Sequence, residues 1–280
     1  MAQTMQRPGP APVRKRAKEW PFPLNLYQSA IGRKWVMAVS GIVLLGFVVS
    51  HMIGNLHIYQ GPLEVREYAE TLRELGVHVI PRTWALWAIR VVLILAFVIH
   101  IHSAYTLAHM SRTSNPRNSV DGQKSYVGGR DYIAANYASR TMRVTGPIIL
   151  LYLFFHLADL TWGWIDDDWV RGDPYHNITI SMSSLPIAII YVVANVALAV
   201  HIYHGTWSLF QSLGVNSPTI NAARRHLATG LAALILIGNL SFPLAVQFGL
   251  IDEDNCTAPC GITEEVEYNA NKALAEEALR

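Results

Sequence analysis

The chain has 280 residues, of which 51% are hydrophobic and only 15% charged, whereas a soluble domain carries roughly 25% charged residues. A formal net charge of +2 gives no reason to expect a nucleic-acid partner, and two cysteines are too few for a disulfide-rich scaffold. Because the apolar residues fall into five blocks, the composition predicts an all-α, polytopic membrane protein built as a bundle of five transmembrane helices.

In chain order, residues 1–32 form a basic N-terminal segment, which does not resemble a cleaved signal peptide because the apolar block that follows is too long. Residues 33–250 contain the five blocks, each long enough to cross a bilayer at about 1.5 Å per residue. The predicted spans are 35–56, 84–109, 142–164, 185–211 and 227–250. Between the first two, residues 58–83 carry apolar residues at helical spacing, which predicts an amphipathic helix on the membrane surface. Residues 251–280 form an acidic, soluble tail.

The charges of the connecting segments predict the orientation of the bundle. Lys and Arg are concentrated in the N-terminal segment and in residues 111–143 and 212–226, whereas Asp and Glu are concentrated in residues 58–83 and 165–184 and in the tail. Since segments rich in Lys and Arg stay on the cytoplasmic side, five spans place the N-terminus in the cytoplasm and the C-terminus outside.

Four of the spans each carry a histidine at membrane depth: His51, His102, His156 and His201. One such histidine could simply hydrogen-bond a neighbouring helix, but an ionisable side chain inside a bilayer is a functional candidate, and here there are four. Counted along antiparallel helices, His51 and His156 fall in the outer half and His102 and His201 in the inner half, about 20 Å apart in height. The pattern therefore predicts two bis-histidine metal sites between facing helices, with haem as the favoured occupant.

The depth count leaves the choice within two histidine doublets open. His100 is an alternative to His102, and His204 is an alternative to His201. His100 and His102 point about 200° apart on a helix, so only one of them can face the core. Asp159, one turn beyond His156, is either an interfacial side chain or a proton relay.

Four runs together resemble the five-span, single-polypeptide dihaem cytochrome b subunit of succinate dehydrogenase, a type also found in some fumarate reductases. They are SGIVLLGFVVSHMIGNL, HIHSAY, LYLFFHLAD and HIYHGTWSLFQSLG, and the resemblance covers about residues 33–250. It implies a subunit of the bacterial inner (plasma) membrane that passes electrons from succinate oxidation to a quinone, usually menaquinone. It also implies a flavoprotein and an iron–sulfur subunit as cytoplasmic partners, docked on the loop 111–143. The dicarboxylate site would lie on a partner chain.

The resemblance also implies a role for each span histidine. His51 and His156 would be axial ligands of a distal haem b, and His102 and His201 those of the haem nearer the partner subunits. His102 is preferred over His100 because it precedes the Ser-Ala-Tyr segment as the family ligand does. Some fumarate-reducing relatives have a glutamate two residues before the fourth-span ligand, where this chain has Ala199, so that proton pathway is not expected here.

Polar residues near the span ends suggest two alternative quinone sites. The outer candidates are Asn55, His57 and Asp159, which could bind the quinone oxygens and supply protons. The inner candidates are Trp35, Ser40 and Trp207.

Cys256 and Cys260 lie in the acidic tail, just past the fifth span. Three states are open to them: a disulfide in an oxidising exterior, free thiols, or ligands of a Rieske-type 2Fe–2S cluster. In the last case they would act with His51 and His156, and the cluster would replace the distal haem.

Two other functions compete with succinate oxidation. The same anchor could serve a quinol:fumarate reductase running in the reverse direction. A different class is a transporter that relays protons through its histidines, for which broken helices and internal repeats would be expected.

Overall fold

The computed structural model describes residues 20–22, 24–113, 133–215 and 217–252, with side chains described except at 111–113 and 133–140. Within these ranges the chain is all-helical. Its seven α-helices are α1 (Ala30–Asn55), α2 (Pro62–Arg73), α3 (Trp84–Thr113), α4 (Ile133–His156), α5 (Pro174–Ser183), α6 (Leu185–Ser212) and α7 (Pro218–Gln247). A 3-10 turn (Leu56–Gln60) extends α1, and a π-helical turn (Leu157–Thr161) extends α4.

Five helical stretches are long and apolar enough to cross a membrane. They are Ala30–Gln60, Trp84–Met110, Thr141–Thr161, Leu185–Ser212 and Pro218–Gln247. The predicted all-α architecture with five membrane-length helices is therefore confirmed. The side on which each terminus lies stays a prediction, as do the three-part division of the chain and the location of α2 on the membrane surface.

The fifth long helix begins nine residues earlier than expected, at Pro218 instead of Leu227. Ser217 caps it, its hydroxyl accepting from the Ile220 amide at 3.3 Å, and proline is favourable in the first helical turn because it has no amide hydrogen to satisfy. Arg224 therefore lies inside α7 and not in a loop.

The main helix contacts pair α6 with α7, α1 with α3 and α4 with α6, and the buried apolar core includes Tyr191 and Ile202 of α6 and Ile235 and Phe242 of α7. Small residues on α6 let its neighbours approach closely, as is typical of helix contacts in membranes; Ala188, Ala194, Ala197 and Ala199 are all buried. On the outside the large apolar residues of α3 are exposed, among them Val91, Ile94 and Val98, which gives this helix a lipid-compatible surface.

Charge separates the two ends of the bundle. Every described Asp and Glu lies in α2 and its flanks, in residues 159–173 or at Asp252, and we call this the acidic end. Several cations there are paired, as Arg73 and Arg82 are with Glu70. The opposite, basic end holds the start of α1, the end of α3, the end of α6 and the start of α7.

Candidate functional site

At the acidic end, His51 of α1 faces His156, the last residue of α4. Their ring centres are 6.0 Å apart, with an angle of 81° between the ring planes. Nδ1 of His156 lies 3.4 Å from the hydroxyl of Tyr191 on α6. The structure thus brings together the two histidines that sequence depth assigned to the outer site, and we call them the acidic-end pair.

Nearer the basic end, His201 of α6 faces His100 of α3, and we call these two the basic-end pair. Their ring centres are 6.5 Å apart. Nδ1 of His100 lies 3.2 Å from both the Met37 carbonyl oxygen and the Ser40 hydroxyl on α1. Nδ1 of His201 lies 3.2 Å from the Thr145 hydroxyl on α4. Four helices, α1, α3, α4 and α6, therefore contribute to this pair or to its hydrogen bonds.

His102 is not brought to His201, although it was the expected partner. Its Nδ1 lies 2.6 Å from the Tyr27 hydroxyl, and the two rings stack with centres 5.7 Å apart. The side chain is exposed on the surface of the bundle. Because His100 and His102 differ by about 200° in direction, the phase of α3 that turns His100 inward turns His102 outward.

The sequence around His100 and His102 indicates which face of α3 packs against the bundle, although the family resemblance favoured His102. Ala96, His100 and Ser103 are spaced i, i+4 and i+7, and both of the small residues are buried. The face that holds the other histidine of the doublet carries Val98 and Tyr105, both exposed. Small residues at helical spacing therefore mark the packed face of α3.

In the second doublet it is His201, and not His204, that faces a histidine of another helix. His204 packs against the neighbouring Tyr203 ring, 5.0 Å between centres, and is only half-buried. Tyr203 in turn lies edge-on to Trp207, so this part of α6 turns away from the basic-end pair.

The two pairs lie at different heights in the bundle. Ser40 contacts the basic-end pair from α1 and Thr145 contacts it from α4. His51 and His156 each lie eleven residues further along the same two helices, a rise of about 16 Å. Counting along α1 and counting along α4 thus give the same vertical separation between the two histidine pairs.

The ring separations fit two axial ligands on one metal ion. Two metal–imidazole bonds of about 2.0 Å, each extended by roughly 1.1 Å from nitrogen to ring centre, place the ring centres about 6 Å apart. The observed distances are 6.0 and 6.5 Å. In His100, His156 and His201 it is Nδ1 that lies near a fixed hydrogen-bonding group, which leaves Nε2 for a metal.

No group of three or more His, Cys, Asp or Glu side chains in the described residues could hold a metal ion. A pair of histidines does not complete a tetrahedral site, but it suits a flat cofactor that supplies the remaining ligands itself.

The packing beside the histidine rings is open. Next to the basic-end pair, a Cβ added at Gly41 would lie 3.4 Å from Cε1 of His100, which is an ordinary van der Waals contact. The four imidazole rings are not enclosed by other side chains, since His51 is exposed and the other three histidines are half-buried. The arrangement therefore fits haem.

Asp159 anchors a buried polar network beside the acidic-end pair. It is 1% exposed, and its Oδ2 accepts hydrogen bonds from the Ser181 hydroxyl at 2.6 Å and the Tyr191 hydroxyl at 2.7 Å. Its Oδ1 has no hydrogen-bond partner among the described residues. Since Tyr191 also lies beside His156, one tyrosine hydroxyl connects this carboxylate to the histidine pair. Sequence reasoning singled out Asp159 but missed Tyr191 and Ser181, which come from distant parts of the chain.

The three outer quinone candidates do not form one cluster. His57 stacks on Tyr68, with ring centres 4.6 Å apart, and its Nδ1 lies 3.7 Å from Glu64. Asn55 is half-buried at the end of α1. Within the described residues, no hydrogen bond or ring contact joins any of these to Asp159.

The three inner candidates are also separated by their contacts. Ser40 belongs with the basic-end pair, since its hydroxyl faces His100. Trp207 lies beneath two arginines of α7, and Trp35 is exposed.

Cys256 and Cys260 lie outside the described residues. Asp252, in the short part of the tail that the structure describes, accepts a hydrogen bond through its carbonyl oxygen from the Tyr175 hydroxyl at 3.3 Å. Tyr175 belongs to α5, the helix that also supplies Ser181 to Asp159. The described start of the tail therefore lies at the acidic end.

No protein-family model matches the chain, and comparison with curated proteins and with solved structures gives no match either.

Proposed function

We propose that the chain is the membrane-anchor subunit of a succinate:quinone oxidoreductase, a succinate dehydrogenase of the bacterial inner (plasma) membrane. The observation that carries the proposal is the presence of two facing histidine pairs at two heights of one helical bundle. Their ring separations, 6.0 and 6.5 Å, suit two bis-histidine haem b groups. The resemblance of the span sequences to the dihaem cytochrome b subunit supports the same assignment.

His51 and His156 would hold one haem at the acidic end, and His100 and His201 would hold the other at the basic end. The proposal takes His100 in place of His102 because only His100 faces His201. Bound haem supplies one-electron transfer. The chain holds the imidazoles of His100, His156 and His201 in one orientation through hydrogen-bonding groups next to their Nδ1 atoms.

The basic end receives the iron–sulfur subunit, to which the flavoprotein is attached. Described cations at this end include Arg33, Lys34, Arg143 and Arg225, and no Asp or Glu lies there among the described residues. Such a surface is complementary to an acidic partner. Because the dicarboxylate site lies on the flavoprotein, this chain takes part in the enzyme as its electron-carrying membrane subunit.

Quinone, with menaquinone expected, is reduced at the acidic end. Of the three outer candidates, Asp159 carries this part of the proposal because its Oδ1 has no partner among the described residues and Tyr191 links its Oδ2 to the acidic-end pair. Its carboxylate can take up and release a proton close to the site of electron arrival. His57 and Asn55 lie nearer the bundle end, where a quinone would enter.

A Rieske-type 2Fe–2S cluster is the second candidate for the acidic-end centre. The hydrogen bond from Tyr175 to Asp252 favours it, because the tail with Cys256 and Cys260 begins on the same end as His51 and His156. Two cysteines and two histidines are the ligand set of such a cluster.

The direction of the reaction is set by the partner subunits and by the quinone. A quinol:fumarate reductase would use the same two histidine pairs in the reverse sense.

Haem analysis of the purified complex tests the proposal. Two haems per chain with bis-histidine absorption and paramagnetic-resonance signals are expected. A complex with neither haem nor non-haem iron in this chain would reject electron transfer and favour the proton-relay transporter.

A further inference from the structure

Arg224, near the start of α7, is a buried cation without a counter-ion among the described residues. The residue is only 4% exposed, and its Nε and Nη1 atoms have no hydrogen-bond partner in the part of the chain that the structure describes. A guanidinium removed from water without a paired anion is strongly unfavourable. An anion is therefore expected to meet Arg224 in the membrane.

No carboxylate of the described residues is placed to be that anion. All of them lie at the acidic end, which is separated from Arg224 by most of the length of α7, a helix of 30 residues or about 45 Å. A second cation, Arg225, lies over the same tryptophan ring as Arg224. The guanidinium carbons of Arg224 and Arg225 lie 5.4 and 4.8 Å from the centre of the Trp207 ring.

Asn221 adds a second unsatisfied group on the same face of α7. It lies three residues before Arg224, so the two side chains are neighbours on the helix. Its Oδ1 is buried and has no partner among the described residues. The site thus offers the hydrogen-bond donors of a guanidinium and the acceptor oxygen of an amide. This combination suits a ligand in which an anionic oxygen accepts from the guanidinium and a hydroxyl donates to the amide.

An apolar stripe runs from this site into the membrane. Ile220, Leu227 and Leu234 are exposed and spaced seven residues apart, so they share one face of α7 next to Arg224. Tryptophan is typical of the membrane interface, and basic pockets between helices on the cytoplasmic side bind anionic headgroups.

We propose that Arg224, Asn221 and Trp207 form a binding site for the glycerol-phosphate headgroup of an anionic phospholipid. The Arg224 guanidinium donates to the phosphate oxygens, and the glycerol hydroxyl donates to Oδ1 of Asn221. Trp207 borders the headgroup, and the apolar stripe receives an acyl chain. The site is independent of the histidine pairs, and it fixes the depth of α6 and α7 at the basic end.

Lipid retention by the whole complex, purified in a mild detergent, tests the site. Native mass spectrometry should find about one phosphatidylglycerol or cardiolipin held per wild-type chain. Arg224→Gln should lower this retention by about tenfold or more, because a charge-assisted contact is lost. Arg225→Gln is the matched control, since it removes an exposed arginine over the same ring, and it should retain the lipid. Equal retention in wild type and Arg224→Gln would overturn the proposal.

Asn221→Ala keeps the cation and serves if Arg224→Gln does not fold. It should weaken lipid retention while the absorption spectrum stays unchanged. If either variant retained the lipid but changed the haem content, the anion at Arg224 would be a carboxylate of the cofactor. The assignment of a lipid site would then be wrong.

Adding candidate ligands to the delipidated wild-type complex distinguishes a phospholipid headgroup from free phosphate as the anion at Arg224. Vesicle-derived phosphatidylglycerol should raise the melting temperature, whereas phosphatidylcholine and inorganic phosphate at the same concentration should not. An equal rise with inorganic phosphate would overturn the headgroup assignment. Two results together would show that the counter-ion belongs to the chain itself. The melting temperature of Asp121→Asn or Asp131→Asn would fall as far as that of Arg224→Gln, and phosphatidylglycerol would not shift the melting temperature of the wild type.

Discussion

His100 on α3 and His201 on α6 face each other with ring centres 6.5 Å apart, although His102 lies only two residues further along the same helix. The two neighbouring histidines therefore have different surroundings. His100 is held against α1 by the Met37 carbonyl, whereas His102 stacks on Tyr27 at the surface.

Replacing these histidines one at a time should therefore separate a ligand from a surface side chain. His100→Ala and His201→Ala should each lower the haem content from about two to about one per chain, because each removes an axial ligand of the same centre. His102→Ala is the matched control and should keep both haems. The measurement is haem per polypeptide in the purified complex. Loss of haem in His102→Ala, with normal content in His100→Ala, would restore the assignment that the family resemblance implies.

Thr145 should tune the basic-end centre without being a ligand. Thr145→Val keeps the side-chain shape but removes the hydroxyl 3.2 Å from Nδ1 of His201. Loss of such a supporting hydrogen bond should weaken haem retention by about 10–100-fold and shift the midpoint potential of one haem only. Thr229→Val is the control, because that hydroxyl bonds only its own helix, at the Arg225 carbonyl. Potentials unchanged in both variants would contradict the orienting role.

Asp159 should be needed for stability as well as for proton transfer. Asp159→Ala leaves the buried hydroxyls of Ser181 and Tyr191 without their shared acceptor, at a cost of about 1–3 kcal/mol for each unsatisfied group. A lowered melting temperature in detergent is the expected result. Asp167→Ala, at an exposed position of the same acidic end, should leave it unchanged.

Asp159→Asn separates the two roles of this side chain. An amide of nearly the same shape still accepts a hydrogen bond but does not carry a proton, so quinone reduction should fall by about 10²-fold while both haems remain. Full turnover in Asp159→Asn would exclude the carboxylate as the proton donor.

Gly54 should be intolerant of a side chain because Tyr68 of α2 lies directly against it. A Cβ at this position would overlap the tyrosine hydroxyl and ring, whereas one at Gly46 would meet no atom within 4 Å. Gly54→Ala should destabilise the protein by about 1–3 kcal/mol through overpacking, and Gly46→Ala should not. Thermal denaturation of the two variants side by side measures the difference. Equal stability would mean that α2 does not dock against α1.

The five long helices and the acidic-end pair could be predicted from the sequence because both follow from local hydropathy and from counting along a helix. The basic-end pair could not be fixed in that way, since the phase of α3 depends on which face packs. The burial of Ala96 and Ser103 decides it. The partners of Asp159 were missed for another reason. Tyr191 is 32 residues away along the chain, and no periodicity indicates which side chains of two packed helices will meet.

The start of α7 was wrongly predicted although the local sequence contained the signal for it. Residues 218–226 are polar and basic, and hydropathy alone placed them in a loop. The capping serine followed by proline, Ser217 and Pro218, was the local signal for an earlier helix start.

The central claim is that the two histidine pairs hold two haems, and quantifying haem, iron and acid-labile sulfide per chain in one purified preparation tests it most directly. The account predicts two haems and no acid-labile sulfide beyond that of the iron–sulfur subunit. One haem together with a cluster signal that disappears in Cys256→Ser would replace the acidic-end haem by a Rieske-type cluster. No haem at all would contradict the account.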